Sequence, residues 1–192
     1  MCLVGVAVNR HPRYSLIVAG NRDELHSRGA APADWWIDHA HCYGGRDLVA
    51  GGSWLGVSRH GRVAVVTNYP GRETVGPDAP SRGQLVVDFV RGAQTPQAWL
   101  ADLTVNAGVY AGFCIVVGTA TEVAYLASPG PAGPATIADD IFTVSNSRLT
   151  ERWPKEQLLK NALADPDIEE DDLLDLLARR IPAPAVAAHN DA

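Results

Sequence analysis

The chain has 192 residues, of which 46% are hydrophobic and 20% are charged, as is typical of a globular protein. The formal net charge is −6 and the 16 Lys and Arg residues are scattered, so no basic stripe indicates binding to nucleic acid. No apolar run is long enough to cross a membrane, and the N-terminus lacks the pattern of a signal peptide. The 3 cysteines are too few for a disulfide framework. We therefore expect one cytoplasmic domain over residues 1–192, without membrane insertion.

The first seventy residues predict mainly β-strands. Two apolar runs, Leu3–Val8 and Tyr14–Gly20, are joined by a short turn that contains a proline, as in a β-hairpin. Residues Arg28–Asp34 are rich in Ala and Pro and predict a loop. A second hairpin is predicted for Trp54–Ser58 and Arg62–Asn68. Both faces of this hairpin are apolar, which is typical of a sheet that is covered on both sides.

Blocks of helix and strand alternate through the rest of the chain. Ser81 can cap a helix that runs to about Arg91, and Thr95-Pro96 has the cap and first-turn proline of a second helix. Strands are then predicted at Gly112–Val117, Glu122–Ala127 and Ile141–Ser145. Helices follow at roughly Leu149–Ala164, where Pro154 disturbs the early part, and at Asp167–Arg180. This succession indicates an α+β fold of antiparallel sheets with helices outside.

The last predicted helix has Asp167 as its cap, with Glu170 three residues later. The tail, Pro182–Ala192, is rich in Ala and Pro and has no closing element. The sequence lacks both the Gly-x-Gly-x-x-Gly motif and the Gly-Lys-Ser/Thr loop, which disfavours a parallel dinucleotide-binding fold.

Cys2 directly follows the initiator. Methionine aminopeptidase removes Met1 when the second residue is as small as Cys, and the chain would then begin with both a thiol and a free α-amine. An N-terminal amine has a pKa of about 7.7–8.0, so part of it is neutral near pH 7 and can take the proton of its own nucleophile. This pattern indicates an N-terminal-nucleophile hydrolase. The alternative is that Cys2 is a small apolar residue opening a buried strand.

Polar residues stand where three predicted strands end: Asp23, Asn68 and Asn146. Rigid scaffolds commonly present reactive groups at such positions. An Asn amide can donate a hydrogen bond to an oxyanion without titrating, and an Asp could hold the α-amine of Cys2. The alternative is that both Asn residues only form turns.

The order of these residues resembles the NRDE family, which is related to the transport and Golgi organization protein 2. That family is similar to N-terminal-nucleophile hydrolases, in particular to choloylglycine hydrolases and penicillin V acylases. The resemblance implies a four-layer αββα sandwich of antiparallel sheets. The segments that carry it are Met1-Cys2-Leu3, Asn21-Arg22-Asp23-Glu24, Gly45-Arg46-Asp47-Leu48, Gly51-Gly52-Ser53-Trp54-Leu55-Gly56, Thr67-Asn68-Tyr69, Ser81-Arg82-Gly83 and Ser145-Asn146-Ser147.

The resemblance also implies roles for single residues. Cys2 matches the nucleophile, and Asp23 matches the aspartate that orients its amine. Arg22 would supply the nearby guanidinium, although the order and spacing of this segment differ from those of the acylases. The remaining expectations are that Asn68 forms the oxyanion hole, that Asn146 is the second active-site Asn, and that Asn21, Trp54 and Tyr69 bind the substrate.

The acylases carry a further arginine in a late strand, and NRDE proteins have a similar Tyr-Gly-Thr-Arg segment near their C-terminus. This chain ends at Ala192 before such a segment, so we expect the sheet to lack its C-terminal strands. The set Cys2, Asp23, Asn68 and Asn146 favours hydrolysis of an amide or other acyl bond in a small molecule, without a cofactor. The missing arginine favours the alternative, a protein that binds or transports haem or an acyl lipid in the same pocket.

A metal site is a weaker interpretation. His39, His41 and Cys42 lie close together and could bind a metal or haem iron, but no second ligand pair supports them. A solvated loop is the alternative, and we expect no metal. The segment Gly51-Gly52-Ser53-Trp54 could bind a ligand through its backbone amides or form a tight turn with a packed Trp54.

Overall fold

The computed structural model describes residues 2–73, 75–76, 78–130, 133–150 and 153–179. The strands in this part of the chain are β1 (Leu3–Val8), β2 (Leu16–Asn21), β3 (Ala30–Trp35), β4 (Cys42–Asp47), β5 (Leu55–Ser58), β6 (Val63–Asn68), β7 (Phe113–Gly118), β8 (Val123–Ser128), β9 (Ala135–Thr136) and β10 (Ile141–Ser145). The helices are α1 (Arg82–Arg91), α2 (Pro96–Asn106), α3 (Pro154–Leu163) and α4 (Glu170–Ala178), and a 3₁₀ turn at Ala107–Val109 follows α2.

The strands form two antiparallel sheets of unequal width. The small sheet has the order β10-β1-β2, and the large sheet runs in chain order from β3 to β9. The first strand of the chain is therefore the centre of the small sheet. Leu3 pairs with Asn21 of β2 on one side and with Ser145 of β10 on the other. This register brings the first and last strands of the described chain together in one sheet.

The core between the sheets is built from the alternation of side chains along each strand. Val4 and Val6 of β1 face the large sheet, where Val65 and Val116 pack against the same core. Because successive residues of a strand point to opposite faces, the neighbours of Val4 and Val6 point to the other side of the small sheet. The inter-sheet core is the middle of the sandwich.

Helices cover the outer face of each sheet. Phe89 of α1 and Leu100 of α2 are fully buried against the large sheet. On the small sheet, Leu159 and Leu163 of α3 pack over Gly5, where an added Cβ would come within 2.6 Å of Leu163. The layers are therefore helix, large sheet, small sheet and helix, which confirms the predicted α+β fold and its four-layer αββα sandwich. Among the described residues, no helix combines the length and the apolarity that a membrane crossing requires.

Three local predictions were wrong. The predicted loop Arg28–Asp34 contains most of β3, an edge strand whose register shifts between Ala31 and Asp34. Edge strands and bulges are where a sheet tolerates a proline such as Pro32. Helix α3 begins at Pro154 rather than at Leu149, since a proline fits the first turn of a helix.

The third error concerns the cap of α4. The cap is Glu169, whose side chain accepts from the backbone of Asp172, while the Asp172 carboxylate accepts from the backbone of Glu169. The predicted cap, Asp167, lies two residues before this capping box. Arg180 and the tail Pro182–Ala192 lie outside the described residues.

Candidate active site

The pairing of β1 brings Cys2 next to two of the predicted site segments. Leu3 pairs with Asn21 and Ser145, so continuing both ladders by one residue sets Cys2 between Arg22 and Asn146. Cys2 is half-buried, and its thiol points to the backbone oxygen of Asp23 with a distance of 3.9 Å. Residues far apart in sequence thus converge at one end of the small sheet.

A cleft of about 50 Å³, here called the Cys2 cleft, opens between the two sheets. Its size suits a small chemical group rather than a whole ligand, since one water needs about 10–15 Å³ of such space. Most of its walls are apolar. The lining residues are Cys2, Val4, Val18, Ala19, Gly20, Asn21, Arg22, Trp54, Leu55, Val65, Val66 and Thr67.

Arg22 and Trp54 form one wall of the cleft. The guanidinium carbon of Arg22 lies 4.4 Å from the centre of the Trp54 ring, within the range of a cation–π interaction. The same guanidinium lies 3.5 Å from the carboxylate of Glu24. The Trp54 ring packs so closely on Gly45 that an added Cβ there would come within 2.5 Å of it. The Gly-Arg-Asp-Leu and Gly-Gly-Ser-Trp segments therefore meet at this wall.

Asn68 and Asn146 contact each other at the end of β6. The Asn146 amide donates to the backbone oxygen of Asn68 at 3.4 Å, and the Asn146 side-chain oxygen is buried without a partner among the described residues. The Asn68 side chain is exposed. Directly paired residues of neighbouring strands point to the same face of a sheet. Asn68 pairs with Phe113, which faces α1 and α2. Thr67 pairs with Cys114, which faces the core between the sheets. Thr67 rather than Asn68 therefore lines the cleft.

The side chains of the other two predicted substrate-binding residues contact the protein itself. Tyr69 is 8% exposed, and its hydroxyl accepts a hydrogen bond from the backbone of Leu149 at 3.2 Å. The Asn21 amide donates to the backbone oxygen of Leu177 in α4 at 2.6 Å, although Asn21 also lines the cleft. Their contact with a substrate stays a prediction.

The first turn of α3 brings in a residue that the sequence analysis missed. The ammonium of Lys155 donates to the backbone oxygen of Cys2 at 3.3 Å. Burial lowers the pKa of Lys155, and the charges of Asp23, Cys2 and Glu156 act against that shift. Lys155 is therefore a half-buried cation beside the predicted nucleophile and its predicted aspartate. No sequence signal identifies it, because a lysine in the first turn of a helix is ordinarily a surface residue.

Glu156, the next residue, was also missed. It is 3% exposed, and its carboxylate accepts hydrogen bonds from the hydroxyls of Ser145 and Ser147, the latter at 2.9 Å. These serines flank Asn146 in sequence. A buried carboxylate is tolerated only when its oxygens are hydrogen-bonded. Glu156 thus fixes the Ser-Asn-Ser segment to α3 on the far side of the small sheet.

Arg82 is a third cation near Cys2. It opens α1, and its guanidinium donates to the backbone oxygen of Gly112 at 2.9 Å. Burial lowers the pKa of Arg82, while the charges of Cys2 and Glu24 raise it. The sequence analysis identified the Ser-Arg-Gly segment by resemblance alone. In the structure its arginine lies near enough to Cys2 for their charges to interact.

The histidine cluster forms no three-ligand site. The His41 ring lies 5.1 Å from the ring of His60, Cys42 is fully buried, and burial raises the pKa of the Cys42 thiol. Within the described ranges no three metal-ligating side chains come together. The remaining cysteine, Cys114, is buried between the sheets, and this burial raises its pKa to about 12.

A larger cavity adjoins the Cys2 cleft on the uncovered part of the large sheet. We call it the side groove; its volume is about 300 Å³, and it shares Trp54 and Leu55 with the cleft. The small sheet has three strands and the large sheet seven, so the small sheet leaves part of the large one uncovered. The groove is lined by Ala31, Pro32, Ala33, Tyr43, Gly44, Gly45, Trp54, Leu55, Gly56 and Val57.

A family model described as Transport and Golgi organisation 2 matches residues 1–181. The chain belongs to the Transport and Golgi organisation 2 family. A member from Mus musculus, the Transport and Golgi organization 2 homolog, is 30% identical over 212 residues, which cover 97% of this chain and 76% of the relative. The homolog from Homo sapiens is 27% identical over 210 residues, with the same coverage of 97% and 76%. These matches confirm the family that the sequence motifs predict.

The fold of this family member is similar to that of an amidase. The Caenorhabditis elegans N-acylethanolamine-hydrolyzing acid amidase ortholog superposes with a TM-score of 0.62 and 9% sequence identity, over 99% of this chain and 88% of that chain. At this identity the likeness shows the fold alone. It supports the predicted resemblance to N-terminal-nucleophile hydrolases at the level of architecture.

Proposed function

We propose that this protein is an N-terminal-nucleophile hydrolase that cleaves an amide or other acyl bond of a small molecule, with Cys2 as the nucleophile. The observation that carries the proposal is the position of the Cys2 thiol, which lines a cleft between the two sheets of an αββα sandwich. Removal of Met1 would give Cys2 the free α-amine that the reaction needs as its base.

The reaction would run through a thioester. The α-amine takes the thiol proton, and the sulfur attacks the carbonyl carbon, so that a C–S bond forms and negative charge develops on the carbonyl oxygen. The tetrahedral intermediate collapses as the amine returns the proton to the leaving nitrogen and the C–N bond breaks. Water then attacks the thioester, the amine again transfers the proton, and the C–S bond breaks to release the carboxylic acid.

The proposed roles rest partly on the geometry of the site and partly on the family resemblance. The resemblance assigns Asp23 to orient the α-amine of Cys2, and Arg22, which lines the cleft, would favour the thiolate by its positive charge. Asn146, whose amide donates to the Asn68 backbone oxygen, would stabilise the oxyanion. The resemblance assigns the same role to Asn68, although its side chain does not line the cleft. Lys155 would hold the backbone of Cys2 through its hydrogen bond of 3.3 Å.

The side groove supports an apolar acyl group as the substrate's larger part. The cleft holds about 50 Å³, which leaves room for the reacting carbonyl, and the adjoining groove of about 300 Å³ presents Tyr43, Leu55 and Val57 to an apolar chain. Ligand sites are commonly apolar clefts with a few polar groups. The structural neighbour hydrolyses N-acylethanolamines according to its name, and amides of this kind are the first substrates to test.

The test measures acid release from N-acylethanolamines of increasing acyl length, with the intact mass of the protein recorded on the same sample. Cys2→Ala is the matched control, because alanine is also small enough for Met1 to be removed. We expect loss of Met1 in both proteins and acid release only with Cys2 present. Equal release by Cys2→Ala, or activity in protein that retains Met1, contradicts the proposed mechanism.

A carrier of an acyl lipid is the second candidate, and the side groove is the observation that favours it. A carrier needs the groove and not the thiol, since transport breaks no bond. Binding of a fluorescent fatty acid that is equal in the wild type and in Cys2→Ala, without acid release by either, would support the carrier.

A further inference from the structure

Thr67 has a buried hydroxyl without a hydrogen-bond partner among the described residues. The residue is 3% exposed and lines the Cys2 cleft. Burial of a hydroxyl without a partner is unfavourable, because the group gives up its hydrogen bonds to water. Valine has the same shape and β-strand preference without that cost. The hydroxyl at this position therefore requires an explanation.

Two other polar side chains of the cleft have partners within the protein. The amide of Asn21 donates to Leu177, and the guanidinium of Arg22 lies over Trp54 with Glu24 beside it. The thiol of Cys2 is the proposed nucleophile. Thr67 is the residue of the cleft whose buried hydroxyl has no partner among the described residues.

We propose that the Thr67 hydroxyl is a catalytic hydrogen-bond donor to the carbonyl oxygen of the acyl group that Cys2 attacks. This inference rests on the proposed hydrolase function. When the C–S bond forms, the electron pair of the C=O double bond moves to the oxygen, and Thr67 donates a hydrogen bond to that oxygen while keeping its proton. In a cleft with apolar walls, such a bond is stronger than in water. Thr67 faces the cleft from β6, whereas the neighbouring Asn68 side chain does not line it.

The structure offers a matched control on the other face of the small sheet. Thr143 is also 3% exposed, and its hydroxyl also lacks a partner among the described residues. It pairs with Gly5, whose free face meets Leu159 and Leu163 of α3, so Thr143 points away from the cleft. Replacing either threonine by valine removes one buried, unpartnered hydroxyl, and only Thr67→Val removes it from the site.

Two reagents separate oxyanion stabilisation from thiol reactivity. p-Nitrophenyl acetate acylates the thiol through a tetrahedral oxyanion and releases p-nitrophenolate. Iodoacetamide alkylates the same sulfur at a saturated carbon, with loss of iodide and no oxyanion. The experiment measures the rate of each reaction at Cys2 by intact mass and peptide mapping, for the wild type, Thr67→Val, Thr67→Ser and Thr143→Val.

We expect Thr67→Val to slow acetylation of Cys2 by about 100-fold, as for loss of one oxyanion donor, while its alkylation rate stays that of the wild type. Thr67→Ser should restore acetylation, and Thr143→Val should change neither rate. Four results would overturn the inference: an unchanged acetylation rate in Thr67→Val, an equal loss with both reagents, an equal loss in Thr143→Val, or no rescue by serine. A wild-type protein that is alkylated at Cys2 but is neither acetylated there nor able to release p-nitrophenolate contradicts the proposed hydrolase itself, and the assignment of Thr67 with it.

Discussion

The ammonium of Lys155 lies 3.3 Å from the backbone oxygen of Cys2. This contact joins the first turn of α3 to the residue directly before the central strand β1, across most of the length of the chain. The next residue, Glu156, holds the hydroxyls on both sides of Asn146. One helical turn therefore fixes two of the residues to which the proposed reaction assigns a role.

Replacing Lys155 by methionine should reduce the reactivity of Cys2 without unfolding the protein. Methionine keeps the length of the side chain but cannot donate to the Cys2 backbone, and the positive charge near the thiol is lost. We expect the rate of acetylation at Cys2 to fall about tenfold, equivalent to about 1.4 kcal/mol. Lys160→Met, on the same helix, is the control. Equal rates in Lys155→Met and the wild type would reduce Lys155 to a packing residue.

Replacing Glu156 by glutamine should destabilise the fold. Both hydroxyls donate to the same carboxylate oxygen, Oε1, and a glutamine oxygen in its place accepts without a charge, while the glutamine nitrogen adds buried donors that need partners. We expect a loss of about 1.5–3 kcal/mol in the free energy of unfolding, measured by urea denaturation. Ser147→Ala should cost less, because the carboxylate keeps Ser145. The double variant should cost less than the sum of the single ones, and strict additivity would show that the contact contributes nothing.

Cys2 should be alkylated before the other two cysteines. Cys114 is buried, and this burial raises its pKa to about 12. Cys42 is also fully buried, and burial raises the pKa of its thiol. Cys2 is half-buried at the edge of the cleft. Brief labelling of the native protein with iodoacetamide, followed by peptide mapping, checks this order. Labelling of Cys42 at the rate of Cys2 would show that the cleft does not activate the thiol.

Asp47 should stabilise the protein in a pH-dependent manner. Burial acts to raise its pKa, but hydrogen bonds from Arg28 and from the backbone of Val49 and Ala50 outweigh burial and lower the pKa. A carboxyl whose pKa is lower in the folded state stabilises the fold fully above its unfolded pKa of about 4, and this contribution is lost as the pH falls through the folded value.

Asp47→Asn should therefore cost about 1–3 kcal/mol at pH 7, and the difference from the wild type should shrink below about pH 4. Urea unfolding at pH 7, 5 and 3 measures it. Asp38→Asn is the control, because Asp38 pairs with Arg46 with its side chain 53% exposed, and such pairs contribute little. A difference that stays constant down to pH 3 would rule out the charged state of Asp47 as the cause.

Asn68→Ala should affect turnover rather than folding. Its side chain is exposed at the end of β6, so we expect a melting temperature within a few degrees of the wild type. With a substrate in hand, kcat should fall about 100- to 1000-fold and KM should change little, as for loss of one oxyanion donor. Normal turnover in this variant would leave Asn68 as a turn residue.

The sequence alone predicts the fold and the residues that lie close together in motifs. Cys2, Arg22 and Asn146 each flank an apolar run, and the pairing of β1 with β2 and β10 does bring these strand ends together. The alternation of apolar residues also predicts most strands. Strand β3 was not predicted, because Pro32 and its small neighbours have weak strand preference. Pairing with β4 holds them extended.

Lys155, Glu156 and Thr67 could not be assigned roles from the sequence. A lysine and a glutamate in the first turn of a helix are ordinary surface residues in sequence terms, and their contacts depend on how α3 lies over β1 and β10. Thr67 fits a strand equally well on either face. Its orientation toward the cleft follows from its pairing with Cys114, which is a property of the folded sheet.

The central position of β1 makes the proposed site a late product of folding. Its neighbour β10 begins at Ile141, and the lysine that contacts Cys2 comes later still, so a growing chain exposes its first residues long before their partners have been synthesised. Pairings so distant in sequence form slowly because a long loop must close first. The aminopeptidase thus has access to Met1 during synthesis, and the thiol acquires its surroundings only when the last quarter of the chain arrives. Under the proposed mechanism, a chain that has not yet reached β10 and α3 lacks the surroundings of its nucleophile.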